Sequence, residues 1–326
     1  MEKFGVYTAQ AWKKRRSQVE PEHWARGGDC ILTIGNFDGV HLGHRSLLAK
    51  VRQESTKLAK PGVLLTFDPH PLQVLRPDFH FQRLFDLDDQ AEQIRDQGLT
   101  AVVRQNFDAA FAKASPHEFL DNFVEPHFKP KMIVVGEDFR FGQGRQGDRS
   151  VLEAWARARQ IECCFRPKLS LQAPGASGPA VVSSSNIRKA LAQGDPKSAA
   201  AMLGRAYELR GPVVSGLQRG RQIGFPTANI IPSVDFLPQK GVYVSESSWG
   251  GRRFRSVTNI GVNPTVSASP LPKIETHIFG LSEDLYGITL TVSLLDFLRP
   301  ERKFSGLEEL RQAIAADCEL AQKWGL

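Results

Sequence analysis

The segment Gly35-Asn36-Phe37-Asp38-Gly39-Val40-His41-Leu42-Gly43-His44 puts three glycines and two imidazoles into a short stretch. It follows the apolar run Ile31-Leu32-Thr33-Ile34 and opens a helix-like stretch from about Gly43 to Leu58. Ligands of α/β sheets bind at the carboxyl end of such a strand, and free N–H groups at a helix N-terminus favour anions. His41 and His44 stand three apart, so both can lie on one side of a first helical turn. Two imidazoles placed there can donate hydrogen bonds to a triphosphate and stabilise charge on the transferring phosphorus. The pattern differs from G-x-x-x-x-G-K-[ST], which excludes a P-loop at this site. Alone, H-x-x-H on a helix reads equally well as a metal pair or as surface histidines, so context must choose.

Three further groups carry chemistry. Ser183-Ser184-Ser185-Asn186-Ile187-Arg188 sets three hydroxyls at a helix start with an arginine one turn on. That makes a second phosphate cradle, since arginine grips two oxygens at once; the plain alternative is an ordinary N-cap. Gly220-Arg221-Gln222-Ile223-Gly224-Phe225-Pro226-Thr227-Ala228-Asn229 is a Gly-rich loop able to approach phosphate. Thr227 and Asn229 offer neutral oxygens that suit Mg²⁺ sharing ATP phosphates, although the loop alone is also a turn around Phe-Pro. Glu275 lies in Ile274-Glu275-Thr276-His277-Ile278. Strand alternation puts Glu275 and His277 on one face and Thr276 on the other. A carboxylate beside a substrate hydroxyl can take its proton during phosphoryl transfer, whereas a lone strand glutamate usually faces solvent.

The elements that must position these groups fall into two kinds. Up to about residue 195, strand-like runs alternate with helical ones: Ile31–Ile34, helix to Leu58, Val63–Phe67, helix over Asp88–Gln97, Leu99–Val103, Met132–Val135, helix over Ser150–Gln160, Ile161–Phe165. Ser115-Pro116-His117-Glu118 reads as an N-cap, a first-turn proline and a capping-box glutamate. Such alternation implies a doubly wound parallel sheet covered on both faces. Leu171–Pro179 reads as a loop, Ser183 caps a helix stopping near Gly194, and Asp195–Leu203 reads as a short helix at the domain join. Beyond it, Tyr207–Val214, Gly241–Ser245, Phe254–Ile260, Ile274–Phe279 and Ile288–Phe297 are β-rich runs broken by Gly and Pro, an antiparallel barrel or sandwich. Leu307, Leu310, Ile314, Cys318 and Trp324 recur at helical intervals in a closing helix. Residues 1–28 form an extension whose basic run Lys13-Lys14-Arg15-Arg16 reads as a solvated helix or frayed tail.

Composition narrows the function classes. The 326 residues are 41% apolar and 24% charged, which fits a globular chain of two domains. The net charge of +7 is spread thinly: residues 1–200 hold 28 basic and 23 acidic side chains, residues 201–326 hold 14 and 12. That fits small anionic substrates better than a nucleic-acid stripe. Leu169–Ile187, the longest uncharged stretch, is too polar to span a bilayer, and the N-terminus lacks a signal-peptide core. Cys30, Cys163, Cys164 and Cys318 have no C-x-x-C spacing, so neither a disulfide framework nor a zinc site is supported and a reducing cytoplasm is expected.

GNFDGVHLGH together with SSSNIR resembles the nucleotidylyltransferase superfamily. With Thr66-Phe67-Asp68-Pro69-His70-Pro71 and Gly136-Glu137-Asp138-Phe139-Arg140-Phe141-Gly142, the chain more narrowly resembles the adenylyltransferase half of bacterial bifunctional riboflavin kinase/FAD synthetases. The resemblance implies that Gly35, Asn36, Phe37, Asp38, His41 and His44 contact ATP and that Ser184, Ser185 and Arg188 hold the leaving pyrophosphate. It also implies that Asp68, Pro69, His70, Asp138, Phe139 and Phe141 lie around the flavin. Ser185 stands where the family usually has Thr, and relatives can carry Asn at the position of Asp138. GRQIGFPTAN, GVYV, NIGVNPT, ETHIF, DLYG and FLRPERKFSGLEEL resemble the riboflavin kinase module, in family order and spacing. That implies a six-stranded antiparallel barrel with a closing helix and ATP contacts at Gly220, Arg221, Gly224, Phe225, Pro226, Thr227 and Asn229. It further implies Mg²⁺ on Thr227 and Asn229, Glu275 as general base for the riboflavin 5′-hydroxyl, and Arg299 near the flavin. Asn263 departs from the family, whose members commonly have a basic residue there.

The sequence therefore leads to three expected segments: an extension over 1–28, an FMN adenylyltransferase domain over 29–195 and a riboflavin kinase barrel over 196–326. The expected partners are ATP, riboflavin and FMN, with no nucleic acid and no membrane; the oligomeric state stays open. Two rival readings remain: an α/β half that has lost catalysis and only binds flavin, and a barrel that binds oligonucleotides.

Overall fold

The computed structural model describes residues 4–18, 29–172, 178–216, 220, 223–262 and 272–325. The chain divides into two compact units, residues 1–81 with 87–169, and residues 82–86 with 170–326. Arg221 and Asn263 lie outside the described residues.

The first unit is built on a six-stranded parallel sheet. Its strands are β1 (Gly5–Thr8), β2 (Cys30–Ile34), β3 (Gly62–Asp68), β4 (Ala101–Asn106), β5 (Pro130–Gly136) and β6 (Glu162–Arg166), in the spatial order β1-β4-β3-β2-β5-β6. From β2 the chain winds outward through β3 and β4, then returns to lay β5 against the other side of β2 and β6 beyond it. The reversal falls between β2 and β5, the place where doubly wound sheets form their ligand crevice. Alternation along β2 sends Cys30, Leu32 and Ile34 to one core and Ile31 to the other. Helix α2 (Leu42–Leu58) packs Leu48 and Val51 into the second core. Cys163 and Cys164 on β6 likewise turn to opposite cores, so adjacency in sequence does not bring their thiols together.

Where it is described, over residues 4–18, the extension is not a frayed tail. β1 pairs in parallel with β4, from Gly5 opposite Ala101 to Thr8 opposite Arg104. Helix α1 (Ala9–Gln18) then lays Ala9 and the fully buried Trp12 into the first core. The physical cause is the aromatic pair Tyr7 and Trp12, whose rings lie 5.6 Å apart against that core and which the basic run masks in a charge-based reading. The Arg15 guanidinium lies over Tyr7, 5.4 Å from the ring centre.

Between β3 and β5 come α3 (Pro71–Leu75) and α4 (Leu87–Asp96), and then a helical run from Pro116 to Phe128. That run opens with α5 (Pro116–Glu118), passes through a wider-wound turn over Phe119–Val124 and ends in α6 (Glu125–Phe128). The expected capping box is present: the Ser115 hydroxyl accepts from the Glu118 N–H, and the Glu118 carboxylate accepts from the Ser115 N–H. Helix α7 (Arg149–Arg157), capped by Asp148, leads into β6.

The second unit holds a closed antiparallel barrel whose strands follow one another around it as Ala228–Ile230, Pro272–Ile278, Arg252–Val262, Gly241–Trp249, Thr289–Pro300 and Tyr207–Val214. After the short pair β7 (Ser170–Leu171) and β8 (Ala180–Val181) come α8 (Ser184–Ala192) and α9 (Pro196–Leu203), capped by Ser183 and Asp195. The barrel strands are β9 (Tyr207–Val214), β10 (Ala228–Ile230), β11 (Gly241–Trp249), β12 (Arg252–Val262), β13 (Pro272–Ile278) and β14 (Thr289–Pro300). A barrel is the outcome of the two architectures the strand spacing allowed. Its interior carries apolar residues such as Leu209, Ile260, Ile274 and Val292, and also a cluster of buried hydroxyls. Ser245 bonds Ser256 at 2.8 Å and Thr258 at 2.7 Å, and Thr258 donates to Thr276 at 2.9 Å. Each hydroxyl both gives and takes, which is what makes burying them tolerable. The closing helix (Leu307–Lys323) covers the outside of the barrel, where Cys318 and Ala321 pack on Val242, Val244 and Val257. Of the expected stripe, Ile314, Cys318 and Trp324 pack on the barrel, joined by the buried Ala313 and Asp317, while Leu307 is 67% exposed.

Candidate active sites

In the first unit, the end of β2 runs into a tightly folded turn. Phe37 and Val40, neither of them glycine, both have positive φ, at 50° and 40°, and Gly39 has 89°. Such backbone is strained for side-chain-bearing residues and persists where surroundings hold it. The holding groups are visible. The Asn36 carbonyl accepts from the Gln90 side-chain amide at 2.7 Å and from the Thr66 hydroxyl at 3.4 Å, while Phe37, Asp38 and Val40 are buried. Gln90 was missed by sequence reasoning, although its signal was there. It occupies the turn before Ala91 and Ile94 on the buried stripe of α4, a polar residue where an apolar one would be expected.

His41 caps α2: its Nδ1 accepts from the His44 backbone N–H at 3.2 Å. An accepting Nδ1 carries a lone pair, so neutral His41 holds its proton on Nε2 and is a donor there. The two rings stack 3.6 Å apart, and the His44 ring lies 4.6 Å from Phe37. Burial, and then the neighbouring His41, push the His44 pKa well below the usual histidine range. His44 is therefore neutral at pH 7, able to donate from one ring nitrogen without adding a buried charge.

The flavin candidates follow the ends of β3 and β5, the two strands that flank β2. Asp68 ends β3, the Asp68–Pro69 peptide is cis, and buried His70 caps α3 and stacks on Phe81 at 3.8 Å. Asp138 pairs with Lys168 at 3.0 Å. Phe141 belongs to the core, 7% exposed against Phe119, so it supports Phe139 by stacking at 5.4 Å while Phe139 stays half-buried. The glycine after it has φ of 70° and lies against the Pro116 backbone, where a side chain would collide. Ser184, Ser185 and Arg188 lie on α8, in the second unit. Arg188 donates its Nε–H to the Gln82 carbonyl at 2.9 Å, and Ser185 is exposed.

In the barrel, Asn229 on β10 stands directly opposite Glu275 on β13, and Glu275 stands opposite Asn259 on β12. Residues paired across an antiparallel ladder share a face. Ala228, Thr276 and Thr258 form the next row, facing inward, so Asn229 and Glu275 face outward. The Asn229 side chain lies against Gly216, where a Cβ would collide with it, and a Cβ on Gly220 would meet the Phe225 carbonyl and the Thr227 hydroxyl. Both glycines thus leave open the cradle that Thr227 and Asn229 line. The His277 Nδ1–H donates to the Pro226 carbonyl at 2.7 Å, with Phe225 and Phe279 each edge-on to its ring at 5.6 Å.

Beside this loop a pocket of about 420 Å³ opens at the barrel mouth, lined by Pro226, Thr227, Thr276, Leu281, Leu285 and Tyr286 among others. Its far wall, from Leu281 to Tyr286, was not among the expected site residues. Asp284, Leu285 and Tyr286 carry part of the resemblance, in DLYG, with no role of their own. The Arg299 fork holds Asp317 of the closing helix at 3.0 and 2.7 Å, fixing that helix to β14.

Two family profiles match the chain, FAD synthetase over residues 25–178 and riboflavin kinase over residues 203–325. Bifunctional riboflavin kinase/FMN adenylyltransferases are similar along nearly the whole length. The protein of Escherichia coli strain K12 is 36% identical, covering 88% of this chain and 90% of the relative. That of Haemophilus influenzae is 34% identical over 90% and 93%, and that of Bacillus subtilis 32% over 90% and 92%. The chain belongs to the bifunctional riboflavin kinase/FMN adenylyltransferase family. A solved structure described as a macrolide-efflux protein from Streptococcus pneumoniae has the same fold. It shares 26% identity at a TM-score of 0.83 over 99% of both chains. Efflux is said of that protein alone. Among the described residues, no helix is long and apolar enough to cross a membrane. As a member of its family the chain is a bifunctional transferase of flavin-cofactor synthesis, with riboflavin kinase and FMN adenylyltransferase activities.

Proposed function

We propose that each half performs its reaction with the residues described above. The observation that carries the kinase assignment is the pairing of Asn229 with Glu275 on one outward face, each next in the chain to a residue that lines the pocket, Ala228 and Thr276. ATP enters that pocket with its phosphates running over the rim along Pro226-Thr227-Ala228-Asn229. The riboflavin 5′-hydroxyl lies beside Glu275, which takes its proton as the hydroxyl oxygen attacks the γ-phosphorus. The new P–O bond forms, the bond from the γ-phosphorus to the bridging oxygen breaks, and ADP leaves with the electron pair. The oxygens of Thr227 and Asn229 are hard, neutral donors in an open cradle, a set that fits Mg²⁺ shared with phosphate and water. Bound there, Mg²⁺ would screen the charge of the triphosphate.

In the α/β half, a phosphate oxygen of FMN attacks the α-phosphorus of a second ATP, and pyrophosphate departs. His41 donates from Nε2, and neutral His44 adds hydrogen bonding without drawing the nucleotide's charge into a fixed ion pair. Ser184, Ser185 and Arg188 are assigned to the pyrophosphate, and Asp68, Pro69, His70, Asp138 and Phe139 to the flavin. We take residues 29–195 as the adenylyltransferase part and 196–326 as the kinase part. A cytoplasmic setting, where thiols stay reduced, agrees with four free cysteines. The two intact sets of site residues favour this reading over a flavin-binding scaffold without chemistry.

The test separates the halves. Purified protein is given ATP and Mg²⁺ with either riboflavin or FMN, and FMN and FAD are resolved chromatographically. Glu275→Gln should stop FMN formation yet still turn supplied FMN into FAD; His41→Ala should let FMN accumulate. A folded variant of either kind that lost both steps would overturn the division of labour.

A further inference from the structure

Arg166 ends β6, at the carboxyl edge of the parallel sheet, one strand beyond β5 and two beyond β2. Its main chain is fixed, since its carbonyl accepts from the Glu137 N–H at 2.9 Å. Its side chain crosses to α2 and donates from Nη2 to the Ser46 hydroxyl at 3.2 Å. The Arg166 Nε–H is buried and meets no acceptor among the described residues. A buried donor of a charged group left in this state is costly unless something supplies the acceptor. No acidic residue stands in the first turn of α2 to balance the cation. Ser46 and Gly43 are three apart and share a side of α2, and Gly43, in the His41–His44 motif, has no side chain to fill the space one turn nearer the helix start.

We propose that Arg166 is a nucleotide-binding residue of the adenylyl-transfer site, donating its Nε–H to an oxygen of the ribose-phosphate of ATP while Nη2 stays on Ser46. This rests on the assignment of the His41–His44 turn to ATP, and it adds a contact from a strand that none of the sequence motifs reaches. Guanidinium geometry suits the double duty, because the fork presents donors on two edges at once. An ammonium would keep the charge but could not hold both partners.

The experiment measures FAD formation from supplied FMN at varied ATP in the full-length protein, for Arg166→Ala, Arg166→Lys and His41→Ala, with FMN formation from riboflavin as an internal control. Arg166→Ala should raise the ATP KM tenfold or more, with the FMN KM within twofold of the parent and the kinase rate unchanged. Arg166→Lys should recover only part of that loss. An ATP KM within twofold of the parent in Arg166→Ala would overturn the proposal, as would a fall in kcat alone with a lowered melting temperature, the mark of a purely structural brace. The His41→Ala arm separates the two levels. If it leaves FAD formation intact, the site assignment itself fails; if it abolishes it while Arg166→Ala is silent, only the role of Arg166 fails.

Discussion

His277 gives the sharpest quantitative test of how the kinase loop is held. Its Nδ1–H donates to the Pro226 carbonyl, and a carbonyl can only accept, so the proton position is fixed by the geometry. His277→Phe keeps a ring against Phe225 and Phe279 but removes the donor. A hydrogen bond of this kind contributes about 0.5–1.5 kcal/mol, which is roughly two- to thirteenfold in an equilibrium constant. Pro226 is exposed, so water replaces part of what is lost and the lower half of that range applies. Thr227 follows directly, so a loosened Pro226 is felt as weaker ATP binding, about two- to fivefold in KM by the same arithmetic. His277→Ala also removes two edge-on ring contacts of about 0.5–1.5 kcal/mol each, and its ATP KM should rise about tenfold or more. His277→Asn restores a donor near the Nδ1 position and should recover the bond without the ring. The assay is the initial rate of FMN formation at varied ATP. kcat should hold, because His277 does not touch the reacting atoms. An unchanged ATP KM in His277→Phe, or a change in kcat with KM constant, would refute the reasoning.

Three more outcomes follow from the same geometry. Gln90→Leu removes one of two donors from the part-buried Asn36 carbonyl, at a cost of about 0.5–1.5 kcal/mol; the ATP KM for FAD formation should rise while FMN formation is unaffected. Asp317→Leu leaves the Arg299 fork without its carboxylate, and breaking a pair with one nearly buried partner costs about 3 kcal/mol. Urea unfolding should show that loss in the barrel, with FAD formation from FMN retained below the transition. His44 has its folded pKa depressed by burial, so the unfolded chain binds the extra proton first. Its stabilising share is full above the unfolded value near ~6.5 and falls as pH drops toward the folded pKa. Melting temperatures between pH 7.5 and 5 should therefore fall less steeply in His44→Gln than in the parent.

Much of this was legible because strand alternation and capping are local. The Ser115–Glu118 box, the Asp195 cap and the limits of the strand Tyr207–Val214 and of the closing helix follow from neighbours in the chain. What escaped depends on distant partners. β1 is a four-residue edge strand whose reason for existing is β4, almost a hundred residues on. Asn229 reads as part of a loop, yet its place in β10 comes from Glu275 and Val214. The committed fork of Arg299 depends on an aspartate buried on the far helix. Residue types foretold the chemistry; the ladder decided which of them stand side by side.

The ladder also explains how so short a strand can hold a position in the proposed kinase site. β10 has three residues, and a slip of one would turn Asn229 into the barrel and present Ala228 or Ile230 to Glu275. Ile230 prevents it. Its side chain is 2% exposed, opposite the fully buried Ile274, and such burial is worth about 1.5–3 kcal/mol relative to exposure. A slipped strand would forfeit that and bury an amide among hydroxyls already paired with one another, a further penalty. An apolar side chain on the opposite face thus fixes which side chain of β10 stands beside Glu275. Ile230→Ala should accordingly raise the kinase KM for ATP more than substitutions that leave the peg in place, although Ile230 faces the interior and Glu275 the outside.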